Sequence, residues 1–78
     1  MEPRELVEEL AKALVERPEE VAVSELKGEQ VTVIELKVAK EDIGKVIGRG
    51  GRIAMALRTI LGAVSSKARK NVLLEIID

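Results

Sequence analysis

Four of the six glycines in this 78-residue chain fall within eight residues, at Gly44, Gly48, Gly50 and Gly51. A helix does not run through such a cluster cheaply, because each interior glycine costs it about 1 kcal/mol relative to alanine. The cluster therefore separates a short helical pattern over residues 42–47 from a longer one in which Ile53, Leu57, Ile60 and Val64 share a stripe. Glycine allows the positive φ that a sharp helix-to-helix turn needs, and its missing Cβ lets an anion come against peptide N–H groups. The second helix would add unpaired N–H groups near Arg52, Ile53 and Ala54 and the positive end of its dipole. Arg49 and Arg52 flank the turn and Lys45 lies one turn before it, so counter-charge stands on both sides. Two readings follow: a phosphate-binding loop, or a flexible glycine turn between packed helices.

The remaining elements read from periodicity. Residues 3–16 form an amphipathic helix with Leu6, Leu10, Ala13 and Leu14 on one face and Val7 widening it; Pro3 suits its first turn and Pro18 prevents its continuation. Residues 21–26 and 31–38 read as strands joined by a turn at Lys27, Gly28, Glu29 and Gln30. In the second strand Ile34, Leu36 and Val38 alternate with Glu35 and Lys37, as in a sheet with one wet face. Asp42 is the expected N-cap of the short helix, and capping accounts for Glu41 and Asp42 better than a metal pair. Residues 65–70 read as a polar basic loop and 71–77 as a third strand. The predicted order is αββααβ, an α+β fold with helices on one face of a three-stranded sheet, forming one domain over 1–78.

Charge and composition then narrow the function. The net charge of −1 conceals −6 over residues 1–42 and +5 over 43–78, and all seven bases of the second part lie between Lys45 and Lys70 with no acid among them. Such a stretch keeps a local positive field in a nearly neutral molecule. Lys67, Arg69 and Lys70 read first as solvated. The absence of Cys and His removes disulfides, thiolate or imidazole metal sites, Cys nucleophiles and Ser-His-Asp chemistry; no activated nucleophile, metal site or cofactor site can be assembled, so an enzyme is not expected. No apolar run approaches the ~20 residues of a membrane span, and the acidic N-terminus is unlike a signal peptide, so the expected location is cytoplasmic, with neither a membrane nor a small-molecule substrate as partner. The absence of Phe, Tyr and Trp means that nucleic-acid binding would proceed without aromatic stacking.

Spacing separates three phosphate loops. A nucleotide P-loop needs Gly-x-x-x-x-Gly-Lys followed by Ser or Thr, and the chain has none. A dinucleotide fingerprint starting at Gly48 would put Ile53 where its last glycine belongs. The third is Gly-x-x-Gly between two short helices, which fits Gly48-Arg49-Gly50-Gly51. The run Ile43-Gly44-Lys45-Val46-Ile47-Gly48-Arg49-Gly50-Gly51-Arg52-Ile53-Ala54 resembles the KH signature, an Ile-Gly-x-x-Ile-Gly motif entering that loop. With a helix and strand ahead of the core, the chain resembles a type II KH domain over nearly its whole length and is similar to the small bacterial single-KH proteins of the KhpA (YlqC) family.

That resemblance implies a non-catalytic protein of the cytoplasm that binds single-stranded RNA, acts in post-transcriptional regulation or as an RNA chaperone, and pairs with itself or with a larger KH-family protein. It assigns RNA contact to Gly44, Lys45, Ile47, Gly48, Arg49, Gly50, Gly51, Arg52 and Ile53, with phosphates on the loop and bases in a groove reaching the sheet edge. Many KH loops carry two polar or basic central residues, where this one carries Arg49 and Gly50. A dimer face is expected on the long helix at Met55, Thr59, Ile60, Gly62 and Ala63, because Arg58 is the single charge between Ile53 and Val64 and exposed helix faces normally carry more. The alternative is a dimerisation or scaffold module whose fold mainly serves protein–protein contact.

Overall fold

The computed structural model describes residues 1–77; Asp78, the end of the expected domain, lies outside them. Three helices and three strands occur in the order α1 (Pro3–Leu14), β1 (Ala22–Lys27), β2 (Thr32–Lys37), α2 (Ile43–Ile47), α3 (Arg52–Lys67), β3 (Val72–Ile76). This is the αββααβ order anticipated from periodicity. Strand β2 is central, antiparallel to β1 and parallel to β3, so the chain needs the α2–α3 crossover to return to the sheet.

Strand alternation sets the layers. Ile34, Leu36 and Leu74 point inward and are buried, while Leu26, Lys37, Leu73 and Glu75 stand on the open face. Helices α1 and α3 cover the inner face and complete a core of Val7, Ala11, Val15, Val38, Val46, Leu57 and Leu61 with those strand residues. The hairpin closes where the Gly28 N–H donates to the Val31 carbonyl at 2.8 Å. A Cβ at Gly28 would stand 2.9 Å from that oxygen.

Both helical stripes are rotated from their expected positions. Helix α1 buries Pro3, Val7 and Ala11, leaving Ala13 and Leu14 exposed, and α3 buries Ala54, Leu57, Leu61 and Ser65, leaving Ile60 44% exposed. Small residues are what let the helices sit close to the sheet and to each other, so Ala11, Ala54 and Ser65 take the inward positions. The larger aliphatics on the flanks, Leu10 and Leu14 of α1 with Ile53 and Ile60 of α3, instead line a groove of 560 Å³ between the helices.

Two local expectations are corrected. Residues 65–70 are not a loop throughout: α3 continues to Lys67, with the buried Ser65 hydroxyl donating to the Leu61 carbonyl at 2.7 Å. It ends through Arg69 in the left-handed region at φ 57°, the Lys70 N–H donating to the Ser65 carbonyl at 2.8 Å. Asp42 precedes α2 but its side chain does not cap it. Its carboxylate, 1% exposed, accepts from the Glu16 N–H at 3.2 Å and the Arg17 N–H at 3.0 Å, fastening the corner after α1 to the entry of α2. Glu41 beside it pairs with Arg17 at 3.4 Å.

Candidate nucleic-acid interface

Every glycine of the Gly48-Arg49-Gly50-Gly51 loop has positive φ: 78° at Gly48, 63° at Gly50 and 79° at Gly51. The Gly48 N–H ends α2 on the Gly44 carbonyl at 2.8 Å, and the Gly51 N–H donates to the Gly48 carbonyl at 3.1 Å. Gly48 combines its φ with ψ 170°, a conformation open essentially to glycine alone. Packing demands glycine there too, since a Cβ would stand 2.7 Å from Ile53 Cγ1 and 2.9 Å from the Ile53 nitrogen. Gly50 and Gly51 differ: a Cβ at either meets nothing within 4 Å. Gly44 is likewise open and exposed although it lies in α2. The three open glycines leave bare backbone facing outward, which internal packing does not require.

Helix α3 begins at this loop with Gly51 as N-cap, without a side-chain cap and without an acid in its first turn. Its leading N–H groups are therefore not taken by side chains, and a 16-residue helix brings a full dipole to bear on them. Lys45, Arg49 and Arg52 are exposed around the loop, and no carboxylate among the described residues pairs with them. A helix N-terminus, open glycines and three cations without a carboxylate partner among the described residues are thus gathered at one end of the molecule, while the Gly48, Gly51 and Arg52 N–H groups are already held by the Gly44, Gly48 and Arg49 carbonyls.

The structure brings most of the anticipated residues to this one end of the molecule and separates others. Ile47, 36% exposed, lies beside the loop, whereas Val46 is wholly buried in the core. Ile53 is half-buried behind Gly48 and borders the groove toward α1. Lys67, Arg69 and Lys70 lie at the opposite end of α3, about 22 Å from Arg52 at 1.5 Å per residue. Lys70 is engaged with Glu2 at 3.2 Å, so the basic run is two clusters and not one surface. Met55, Thr59, Ile60, Gly62 and Ala63 are all exposed on α3. No group of three or more acidic, His or Cys residues that could hold a metal ion occurs among the described residues. No helix among them is long and apolar enough to cross a membrane.

One feature escaped periodicity. Arg58 reaches from α3 to the edge strand β3, its Nη2 donating to the Leu74 carbonyl at 3.3 Å. The sequence carries one trace of it, the isolation of that charge in an otherwise uncharged helical stretch.

Comparison with known proteins gives a consistent result. The family model for the KH domain of KhpA/KhpB matches residues 4–76. The RNA-binding protein KhpA of Clostridium acetobutylicum is 55% identical over 74 residues, spanning 95% of this chain and 99% of that protein. KhpA of Caldanaerobacter subterraneus is 56% identical over 73 residues, 94% of this chain and 97% of that one. KhpA of Aquifex aeolicus is 51% identical over 75 residues, 96% of this chain and 95% of that one. Among solved structures, a variant of Aquifex aeolicus Era bound to GDP and aluminium fluoride superposes with a TM-score of 0.64 at 23% identity, covering 95% of this chain and 29% of the Era chain. At that identity the likeness is one of fold.

Proposed function

The chain belongs to the KhpA/KhpB family of KH domains, and from that premise we propose that it is a non-catalytic protein that binds short single-stranded RNA with phosphates on the Gly48–Gly51 loop. The observation that carries the reading is the coincidence at one helix N-terminus of two open positive-φ glycines, Gly50 and Gly51, with the unpaired cations Lys45, Arg49 and Arg52. Phosphate oxygens accept from the loop and leading α3 amides, and the arginines neutralise charge from either side. Bases then lie over Gly44 and Ile47 toward the edge of β3. Without aromatic side chains the lone domain binds weakly, at micromolar strength, and its affinity is dominated by phosphate contacts. Relatives named RNA-binding protein KhpA support RNA as the ligand. A cytoplasmic role in post-transcriptional regulation or as an RNA chaperone accords with such broad, backbone-led binding.

A second reading, compatible with the first, is favoured by the α3 surface. Met55 is 61% and Ile60 44% exposed, and the neighbouring 560 Å³ groove is apolar. A second copy, or a larger KH-family protein, covers this face and gives longer RNA two sites, raising avidity through effective concentration. Titrating labelled single-stranded RNA at several salt concentrations tests the primary reading. About three phosphate contacts give a log–log slope near −2, at roughly 0.7 per contact; a salt-independent affinity would contradict it.

A further inference from the structure

We infer that Lys67 is an RNA phosphate contact supplied in trans, by a second copy packed antiparallel along α3 that sets its Lys67 beside Arg49 and Arg52 of the first, an inference that rests on the RNA-binding reading above. Within one chain Lys67 stands about 22 Å from Arg52 along the helix axis, too far to serve the same loop. It is exposed, and no carboxylate among the described residues pairs with it.

The outward face of α3 is self-complementary. Opposite the buried Ala54, Leu57, Leu61 and Ser65 runs an exposed stripe of Arg52, Met55, Ala56, Thr59, Ala63 and Ser66. Between Arg52 and Lys67 the one charged residue is Arg58, and its side chain is drawn off this stripe to the Leu74 carbonyl. The remainder is uncharged, with Met55 61% and Ile60 44% exposed beside the apolar groove, where an unpartnered helix face normally carries charge.

Spacing and charge fix the orientation of the second copy. Met55 precedes Thr59 by four residues and Ala63 follows it by four. Antiparallel pairing on a two-fold axis at Thr59 therefore sets the large Met55 against the partner's Ala63, and Ala56 against the partner's Gly62. A parallel pair would set Met55 against the partner's Met55 and Arg52 against the partner's Arg52, with the helix dipoles opposed. The antiparallel pair is charge-complementary, because the positive end of each helix, with Arg52, faces the negative C-terminal end of the other.

Arg52 then stands opposite the partner's Ser66, one residue from Lys67. The flanks agree as well. A two-fold axis at right angles to both helices turns the α1 flank of each copy to the same side. Arg49 and Arg52 line the groove toward α1, and Lys67 lines a 440 Å³ pocket that Met1 and Leu6 form with the last turns of α3. Each glycine loop thus gains one cation from the other copy. Cations so gathered repel one another until an anion joins them, so phosphate and the second copy favour each other's binding.

The test is a double-mutant cycle read with a labelled uridine tetramer, the length one KH loop clamps, so that avidity between two loops plays no part. Lys67→Gln is titrated in the wild-type background and in Thr59→Glu, with Ala63→Glu as a second monomeric background, at several salt concentrations. Thermal melts and sedimentation equilibrium on the same samples report folding and assembly. In the dimer Lys67→Gln should reduce the salt slope by about 0.7 and weaken binding about fivefold at 0.1 M salt, the factor such a slope accumulates between 0.1 and 1 M. In the monomeric backgrounds it should change affinity by less than about twofold. Since the chain has no cysteine, a mixture of Met55→Cys and Ala63→Cys chains should cross-link on oxidation, whereas Met55→Cys alone, its thiols about 12 Å apart along the axis, should not. Equal weakening by Lys67→Gln in dimer and monomer would make Lys67 a contact in cis, and no weakening in the dimer would leave it merely solvated; either overturns the inference. Cross-linking of Met55→Cys alone, or a wild type that stays monomeric with the tetramer bound, overturns it as well and leaves the glycine-loop reading standing. Failure of the wild type to bind either the tetramer or longer uridine RNA would refute the RNA reading itself and this inference with it.

Discussion

Replacing Gly44 by alanine should make the protein more stable and a poorer RNA binder. Gly44 lies in α2, exposed, and a Cβ there meets no atom within 4 Å. A glycine inside a helix costs roughly 0.5–1 kcal/mol relative to alanine, so nothing in the fold opposes that gain. For a domain this small 1 kcal/mol moves the melting temperature by about 4–8 °C, which places the expected rise at about 2–8 °C. The new methyl group would stand on the bare surface leading to the loop, over which the proposed binding mode lays the RNA strand. Losing one close contact of about 1.4 kcal/mol weakens binding about tenfold. Circular dichroism melts and titration of labelled RNA on the same samples read both effects. A raised melting temperature with unchanged affinity would refute the reasoning, because the position would then be bare for no ligand's sake.

Other substitutions separate structural from functional glycines and test the corner and the helix face. Gly48→Ala should lose more than about 2 kcal/mol, since positive φ costs about 1–2 kcal/mol for a residue with Cβ and that Cβ would stand 2.9 Å from the Ile53 nitrogen, which cannot swing away; the melting temperature reports it. Asp42→Ala leaves the Glu16 and Arg17 N–H groups without their acceptor, and at about 1–3 kcal/mol per orphaned group, toward the low end at this part-buried corner, should cost about 2–4 kcal/mol in urea unfolding. Thr59→Glu puts charge in the middle of the α3 face and should convert a dimer to a monomer in sedimentation equilibrium; a wild-type monomer would end the dimer proposal.

What could be read from the residues follows from how local each determinant is. The loop at Gly48–Gly51 was legible because positive φ is a demand on single residues and glycine meets it at least cost, whereas the positive φ of Arg69 carries no such mark. Element order was legible from alternation in β2 and from the turn residues. The helical stripes were misplaced because periodicity follows the large aliphatics Leu10, Leu14 and Ile60, while close packing selected Ala11, Ala54 and Ser65. A polar Ser65 reads as loop until its hydroxyl is seen returning to the Leu61 carbonyl. Asp42 carries the local mark of a helix cap, yet its partners lie 25 and 26 residues away. The contact of Arg58 with Leu74 and the ion pair of Lys70 with Glu2 likewise depend on tertiary approach, which no spacing in the chain announces.

The central claim, that RNA phosphate is held on the glycine loop, is tested most directly by salt-dependent RNA titration of the double substitution Arg49→Asp with Gly50→Asp. Both positions are exposed, and Gly50 at φ 63° and ψ 18° lies where aspartate is better tolerated than most residues. Acids before α3 complement its dipole by about 0.3–1 kcal/mol, offsetting part of the cost of positive φ. The local charge, however, changes by three units against a bound phosphate. The expected result is loss of RNA binding, against a micromolar wild type with a salt slope near −2, while the melting temperature stays within about 8 °C. Retained affinity in a folded double mutant would contradict the account and remove the loop from the binding site.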